Sequence, residues 1–120
     1  MALDRLPVDT PTFEYFWLLP LLEQPYPHAA TALPALLARL AVPINAADVS
    51  LSRIVVTGLS FGSDYWFKLA ARWLEQGFPV DGEIARVVDE RRSDRSLSQD
   101  ARHSAFGIVR RWELRGVVQP

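Results

Sequence analysis

The sequence SDYWFKLAARWLEQGFP (residues 63–79) carries the strongest helix signal in the chain. Ser63 is a suitable N-cap, and Asp64 places a negative charge at the positive end of the helix dipole. Gly77 and then Pro79 end the pattern. Between these ends, apolar residues recur at three- and four-residue spacing: Trp66, Leu69, Ala70, Trp73 and Leu74. This periodicity predicts a helix at the centre of a hydrophobic core.

Two more helices are predicted after this one. Asp81 can cap a short helix with the apolar stripe Ile84, Val87 and Val88. Ser96 and Gln99 have the spacing of a capping box, so a third helix is expected to begin there and to end at Gly116. Its core stripe is Leu97, Ala101, Ala105, Ile108, Val109 and Trp112. Large apolar residues that fall away from this stripe, and so predict contacts on a second side, are Phe106 and Leu114.

The first part of the chain, residues 1–46, is apolar and rich in proline and aromatic residues. Thr10 and Pro11 predict the start of a helix that runs through Leu22 and bends near Pro20. Apolar residues surround this segment on most sides, which favours its burial. The alternative is an exposed aromatic patch made by Tyr15, Trp17 and Tyr26.

Two further segments complete the predicted organisation. The residues after Pro34 predict a helix that ends before Pro43. Residues 50–61 are ambiguous, because their run IVVT has strand character but no comparable strand exists to pair with it; a short helix or an extended connector is expected. Amphipathic helices must bury against one another, so the sequence predicts one all-α domain over residues 1–120. We expect a bundle of about four to six helices, best defined over residues 60–116.

Composition excludes several classes of protein. Of the 120 residues, 49% are hydrophobic and 22% are charged, which is typical of a globular domain rather than a disordered or fibrous chain. The absence of cysteine excludes disulfides, thiolate zinc sites and thiol catalysis. A formal net charge of -1 argues against nucleic acid as a partner. We expect neither a secretory signal nor a membrane partner, which favours the cytoplasm.

The sequence GLSFG (residues 58–62) matches the G-x-S-x-G pattern of hydrolase nucleophile elbows. An elbow needs a parallel sheet around it and an acid and a histidine after it, but the residues that follow Ser60 are predicted to be helical. His103, the single later histidine, lies in a predicted helix. We therefore interpret both glycines as turn residues. His28 and His103 belong to no metal-binding pattern, and no phosphate-binding glycine loop is present, so we expect neither a metal nor a cofactor.

Arginine is concentrated in the second half of the chain, and carboxylates are interleaved with it. This pattern favours solvated helix faces with ion pairs along one helix over a surface for RNA. The basic positions are Arg91, Arg92, Arg95, Arg102, Arg110, Arg111 and Arg115.

Several residues of the helical half also resemble a known class of protein. They are Ser63-Asp64-Tyr65-Trp66, Leu69-Ala70, Trp73-Leu74-Glu75-Gln76-Gly77, Ser98-Gln99 and Arg102-His103. Over about residues 60–115 the chain resembles small helical immunity proteins encoded beside bacterial toxin domains, most closely those of contact-dependent growth-inhibition systems. The resemblance implies a cytoplasmic protein that binds one toxin domain, often a nuclease, and blocks its active site or its substrate access. It implies scaffold roles for the residues named and no catalytic residue.

One main functional hypothesis and two alternatives follow. The main hypothesis is a non-enzymatic immunity protein that binds a cognate toxin domain, with a nuclease as the expected toxin. Because nuclease active sites are usually basic, the expected contact residues are Glu83, Asp89 and Glu90 on the outer face of the short helix. The alternatives are a small serine hydrolase that uses Ser60 and His103, and a helical nucleic-acid-binding regulator that uses the arginine-rich C-terminal end.

Overall fold

The all-α fold predicted from the sequence is confirmed. A computed structural model describes residues 15–41 and 44–118, so the helix start predicted at Thr10 and Pro11 lies outside the described residues. None of the described residues forms a strand. The elements are a 3₁₀ helix, η1, at Phe16–Glu23; α1 at Tyr26–Arg39; a short 3₁₀ helix, η2, at Ala46–Asp48; α2 at Leu51–Ser60; α3 at Asp64–Glu75; α4 at Gly82–Arg91; and α5 at Gln99–Val118.

Side-chain caps explain why three of the helices begin where they do. The residue before α2, α3 or α4 accepts a hydrogen bond from the backbone N–H three residues further on. These capping residues are Ser50, Ser63 and Asp81. The predicted α3 and α4 are thereby confirmed. Residues 50–61, which the sequence left ambiguous, contain the ten-residue helix α2.

The capping box predicted for α5 was wrong. The backbone N–H of Ala101 donates to the side chain of Ser98 at 3.1 Å, so Ser98 is the N-cap. Ser96 lies in the preceding connector, where its hydroxyl bonds to Asp94 at 2.7 Å. Ser96 therefore belongs to the connector, two residues before the N-cap of α5. The helix also continues past Gly116, its predicted end.

The first part of the chain differs most from the prediction. The segment expected to be an α-helix bent near Pro20 is the 3₁₀ helix η1, with Pro20 inside it. The next helix, α1, begins at Tyr26 and therefore well before Pro34, its predicted start. Proline is tolerated in the first turn of a helix, and Pro27 takes that place here, whereas Pro34 lies inside α1 on its exposed side.

The helix α3 lies at the centre of the core, as predicted. It packs against η1, α2 and α5, and the buried side chains of all the long elements form one hydrophobic cluster. Trp73 is fully buried, and its indole N–H donates to the backbone carbonyl of Gln24 at 2.8 Å. The backbone N–H of Tyr26 donates to the side-chain carbonyl of Gln76 at 2.8 Å, a second link between α1 and the end of α3. Trp66, also expected in the core, is only partly buried.

Helix α2 and η1 meet at Gly58. A Cβ atom on Gly58 would lie 2.7 Å from Cδ1 of Leu22 and 3.3 Å from Cβ of Ala70. Gly58 therefore lies inside α2 because its neighbours leave no room for a side chain, and the interpretation as a turn residue was wrong for it. That interpretation is confirmed for Gly62, which has φ +90° and turns the chain from α2 into α3.

We expect the substitution Gly58→Val to lower the free energy of unfolding by about 1–3 kcal/mol, because the added side chain overfills a closely packed contact. The matched control is Gly82→Ala in the first turn of α4, where an added Cβ meets nothing within 4 Å. Chemical denaturation followed by circular dichroism measures both variants. An unchanged free energy of unfolding for Gly58→Val would contradict the packing of η1 on α2.

An exposed hydrogen bond between the starts of α3 and α5 also depends on pH. The carboxylate of Asp64, at the start of α3, accepts a hydrogen bond from the backbone N–H of Ser98 at 2.7 Å. This hydrogen bond is the main cause that lowers the pKa of Asp64 below its ordinary value of 3.8. Because the pKa is lower in the folded state, the ionised carboxylate stabilises the fold above the unfolded-state pKa. That contribution is lost as the pH falls through the folded-state pKa.

We therefore expect Asp64→Asn to lower the free energy of unfolding at neutral pH, and the difference from the wild type to shrink as the pH falls below the ordinary carboxyl pKa of 3.8. The control is Asp48→Asn, which removes an exposed carboxylate of η2. Denaturation curves at a series of pH values test this expectation. A difference that is the same at every pH would show that the ionised form of Asp64 does not make the stabilising contact.

Candidate protein-binding surface

The helix η1 exposes a single row of side chains, because a 3₁₀ helix has three residues per turn. Residues spaced by three lie above one another, and the exposed row is Trp17, Pro20 and Glu23. Of the remaining positions, Phe16 is partly buried, and the residues that face the core are Leu18, Leu19, Leu21 and Leu22. The burial predicted for the aromatic residues is confirmed for Tyr15, while Tyr26 is partly buried. It is wrong for Trp17, which is 55% exposed.

Two further aromatic rings pack beside Trp17. The ring of Phe16 meets Trp17 edge to face at 5.3 Å and stacks on Phe61 at 5.0 Å between centroids. Phe61 follows α2 directly, at the corner where Gly62 reverses the chain, and is 47% exposed. The two elements thus bring together rings that are far apart in the sequence.

Tyr65 and Glu23 extend this surface along the start of α3. The hydroxyl of Tyr65 donates to the carboxylate of Glu23, and this hydrogen bond raises the pKa of Tyr65 above its ordinary value of 10.0. The phenol is therefore protonated at neutral pH and acts as the donor. The ring also meets Trp66 edge to face at 4.9 Å, so Tyr65 is held although it is 54% exposed. We call the following residues the aromatic surface: Phe16, Trp17, Glu23, Phe61 and Tyr65.

The carboxylates that the sequence predicted as partner contacts all lie on the exposed side of α4, and each of them has an arginine partner. The pairs are Glu83 with Arg53 of α2 at 3.0 Å, Asp89 with Arg92 at 2.9 Å and Glu90 with Arg86 at 3.1 Å. The interpretation of the interleaved charges as ion pairs along one helix is confirmed for Asp89 and Glu90, whereas Glu83 pairs with an arginine of another helix. Because opposite charges are balanced, this face attracts a basic partner less strongly than unpaired carboxylates would.

Arginines at the end of α4 hold the connector that leads to α5. The guanidinium of Arg91 pairs with Asp94 at 2.6 Å, and hydrogen bonds from Ser96 are the main cause that lowers the pKa of Asp94 below its ordinary value of 3.8. Arg92 lies over the exposed ring of Phe106 at 5.6 Å from its centroid, a cation–π contact. These contacts give part of the arginine-rich end a role in the fold.

The described residues do not form the surroundings that a nucleophile elbow needs. Ser60 is the last residue of α2, so a helix precedes it instead of a strand. His103 lies on the exposed side of α5, a helix that packs against α3 and α4. The G-x-S-x-G match therefore comes from a helix end followed by a glycine turn.

The aromatic surface was not predicted from the sequence as a unit, although the sequence carries one signal for it. Trp17, Pro20 and Glu23 recur at three-residue spacing, which matches a 3₁₀ helix better than the 3.6-residue period of an α-helix. The stacking of Phe16 on Phe61 depends on the contact between η1 and α2, and no local pattern reports that contact.

Within residues 15–41 and 44–118, no three metal-ligating side chains come together. No helix among the described residues is long and apolar enough to cross a membrane. No match to the chain was found among protein-family models, curated proteins or solved structures.

Proposed function

We propose that the protein is an immunity protein that binds and neutralises a cognate bacterial toxin domain in the cytoplasm, with the aromatic surface as its main contact. The observation that carries this proposal is a set of exposed rings held along η1: Trp17, Phe61 and Tyr65 are each about half exposed. Phe16 joins the first two, and Tyr65 is bonded to Glu23 at the end of η1. The resemblance of residues 60–115 to immunity proteins of contact-dependent growth-inhibition systems supplies the class of partner. A nuclease is the toxin that it implies.

Clustered aromatic rings are favourable contact groups. Single exposed apolar residues are common on monomeric proteins and carry little information. Here, however, three of the five large hydrophobic side chains exposed on the described part of the chain belong to one surface. Tryptophan and tyrosine are enriched among the residues that dominate binding free energy, because they bury a large area with few rotatable bonds.

The aromatic surface is also ordered before any partner binds. Ring contacts hold Phe16 and Phe61, and the hydrogen bond to Glu23 holds Tyr65. A side chain that is already fixed loses little rotamer entropy on binding, so more of the contact energy appears as affinity. This order supports a tight complex better than an equal area of flexible side chains would.

The charged face of α4 takes a second part in the proposal. The predicted contacts for a basic toxin surface are still Glu83, Asp89 and Glu90. Each of them has an arginine partner beside it. Ion pairs at a protein surface contribute little free energy, so basic side chains of a partner can replace the arginines with little loss of stability. Charges at the rim of an interface mainly change the rate of association. Inhibition is steric in this proposal and requires neither a catalytic residue nor a cofactor.

Co-expression with the toxin domain encoded beside the gene tests the function itself. We expect the two proteins to elute together from gel filtration at a fixed stoichiometry, and growth to be restored in cells that make the toxin. A toxin domain with its active site inactivated allows binding to be measured without toxicity. Separate elution together with continued toxicity would overturn the proposal.

The double substitution Trp17→Ala and Phe61→Ala is expected to weaken binding to the toxin domain by about 30-fold or more, because it removes two exposed rings that the partner would bury. The matched control is Phe106→Ala, which removes a similarly exposed ring from α5. Isothermal titration calorimetry measures the affinities, and circular dichroism verifies that each variant is folded.

The triple substitution of Glu83, Asp89 and Glu90 by alanine separates the two surfaces. We expect it to slow association several-fold at low salt while leaving dissociation nearly unchanged. Unchanged kinetics would remove α4 from the interface. Equal losses of affinity in the aromatic double variant and in the Phe106→Ala control would show that the aromatic surface is not the main contact.

A further inference from the structure

A cleft lies at the C-terminal end of α3, away from Phe61 and from Tyr65, which stand at the start of that helix. Gly77, with φ +111°, ends α3, and the backbone N–H of Phe78 donates to the carbonyl of Trp73 at 3.0 Å. This turn directs the connector between α3 and α4 past α5. Between the connector and the two helices, the chain leaves a cleft of about 340 Å³.

Apart from Arg111, the side chains that line the cleft are apolar or aromatic. The walls are formed by Leu74 of α3, Phe78 and Val80 of the connector, and Ile108 and Trp112 of α5. Small-molecule sites begin at about 300 Å³ and combine apolar walls with a few polar groups that orient the ligand. The cleft meets both conditions, because one ionisable side chain, Arg111, also lines it.

Arg111 determines the charge of the ligand that fits. It is the single ionisable residue that lines the cleft, and no carboxylate of the described residues makes an ion pair with it. This contrasts with Arg86, Arg91 and Arg92, each of which is paired with a carboxylate. A planar guanidinium binds a carboxylate through two parallel hydrogen bonds.

We propose that this cleft binds a small apolar monocarboxylate, with the hydrocarbon part between α3, the connector and α5 and the carboxylate on Arg111. The size of the cleft limits the ligand to a single medium-length chain or one ring system. The site is separate from the aromatic surface, so it does not depend on the proposed function.

Octanoate, kept below its micelle-forming concentration, is a suitable probe, and octylamine is the control ligand with the same chain and the opposite charge. Titration of the ¹⁵N-labelled protein by NMR follows the backbone amide of Gly77 and the indole N–H of Trp112. We expect octanoate to produce saturable shifts at both positions and octylamine to bind at least about tenfold more weakly.

The substitution Arg111→Ala is expected to weaken octanoate binding about tenfold and to abolish the preference over octylamine. Arg110→Ala is the matched control, because successive residues of a helix point about 100° apart and Arg110 is exposed away from the cleft. Equal binding of the two ligands, an unchanged affinity in Arg111→Ala, or shifts that map elsewhere would each overturn the proposal. Because Arg111 is exposed, its removal is not expected to affect folding.

Discussion

The hydrogen bond from the indole of Trp73 to the carbonyl of Gln24 joins the two halves of the chain. Trp73 is fully buried, and a buried N–H without an acceptor is strongly destabilising. Gln24 follows the last residue of η1, and its N–H still donates to the carbonyl of Leu21 at 3.0 Å. Its backbone is extended, and its carbonyl accepts the hydrogen bond from the indole. This hydrogen bond therefore fixes the position of the end of η1 relative to α3, and with it the position at which α1 begins.

The position of the aromatic surface follows from this constraint. The residue next to Gln24 is Glu23, whose carboxylate accepts the hydroxyl of Tyr65. Helix α3 thus holds the end of η1 twice, once from its buried side through Trp73 and once from its exposed side through Tyr65. With that end fixed, the three-residue turn of η1 places Trp17 on the outside, beside the corner that carries Phe61.

The parts of the fold that could be predicted from sequence are those controlled by local hydrogen bonds. Ser63 and Asp81 cap α3 and α4 whatever the rest of the chain does, because their acceptors and donors lie within three residues. The sequence around Ser96 is equally compatible with an N-cap, yet the Ser96 hydroxyl donates to Asp94 and Ser98 caps the helix. Where several local partners compete, the tertiary structure decides between them.

Proline and glycine are ambiguous for a related reason. Pro27 and Pro34 both lie in α1, one in its first turn and one inside it, and the sequence around each is compatible with a helix start. Gly58 and Gly62 flank Ser60 symmetrically in the sequence but serve different purposes, close packing for one and a left-handed turn for the other. The two glycines can be told apart only once η1 is known to pack against α2 at Gly58. That contact joins residues more than thirty positions apart, such as Leu22 and Gly58.

The same dependence on tertiary structure changes which surface is best suited to recognition. From the sequence, the predicted contact groups are Glu83, Asp89 and Glu90, because charge can be read from residue types alone. In the structure each has an arginine partner, and ion pairs at a protein surface contribute little free energy and are screened by salt. The aromatic surface relies on apolar area that salt does not screen, and its rings are already held in place. In the proposed complex, slow dissociation is therefore expected to come from the rings, and the charged face of α4 is expected to affect the speed and specificity of encounter.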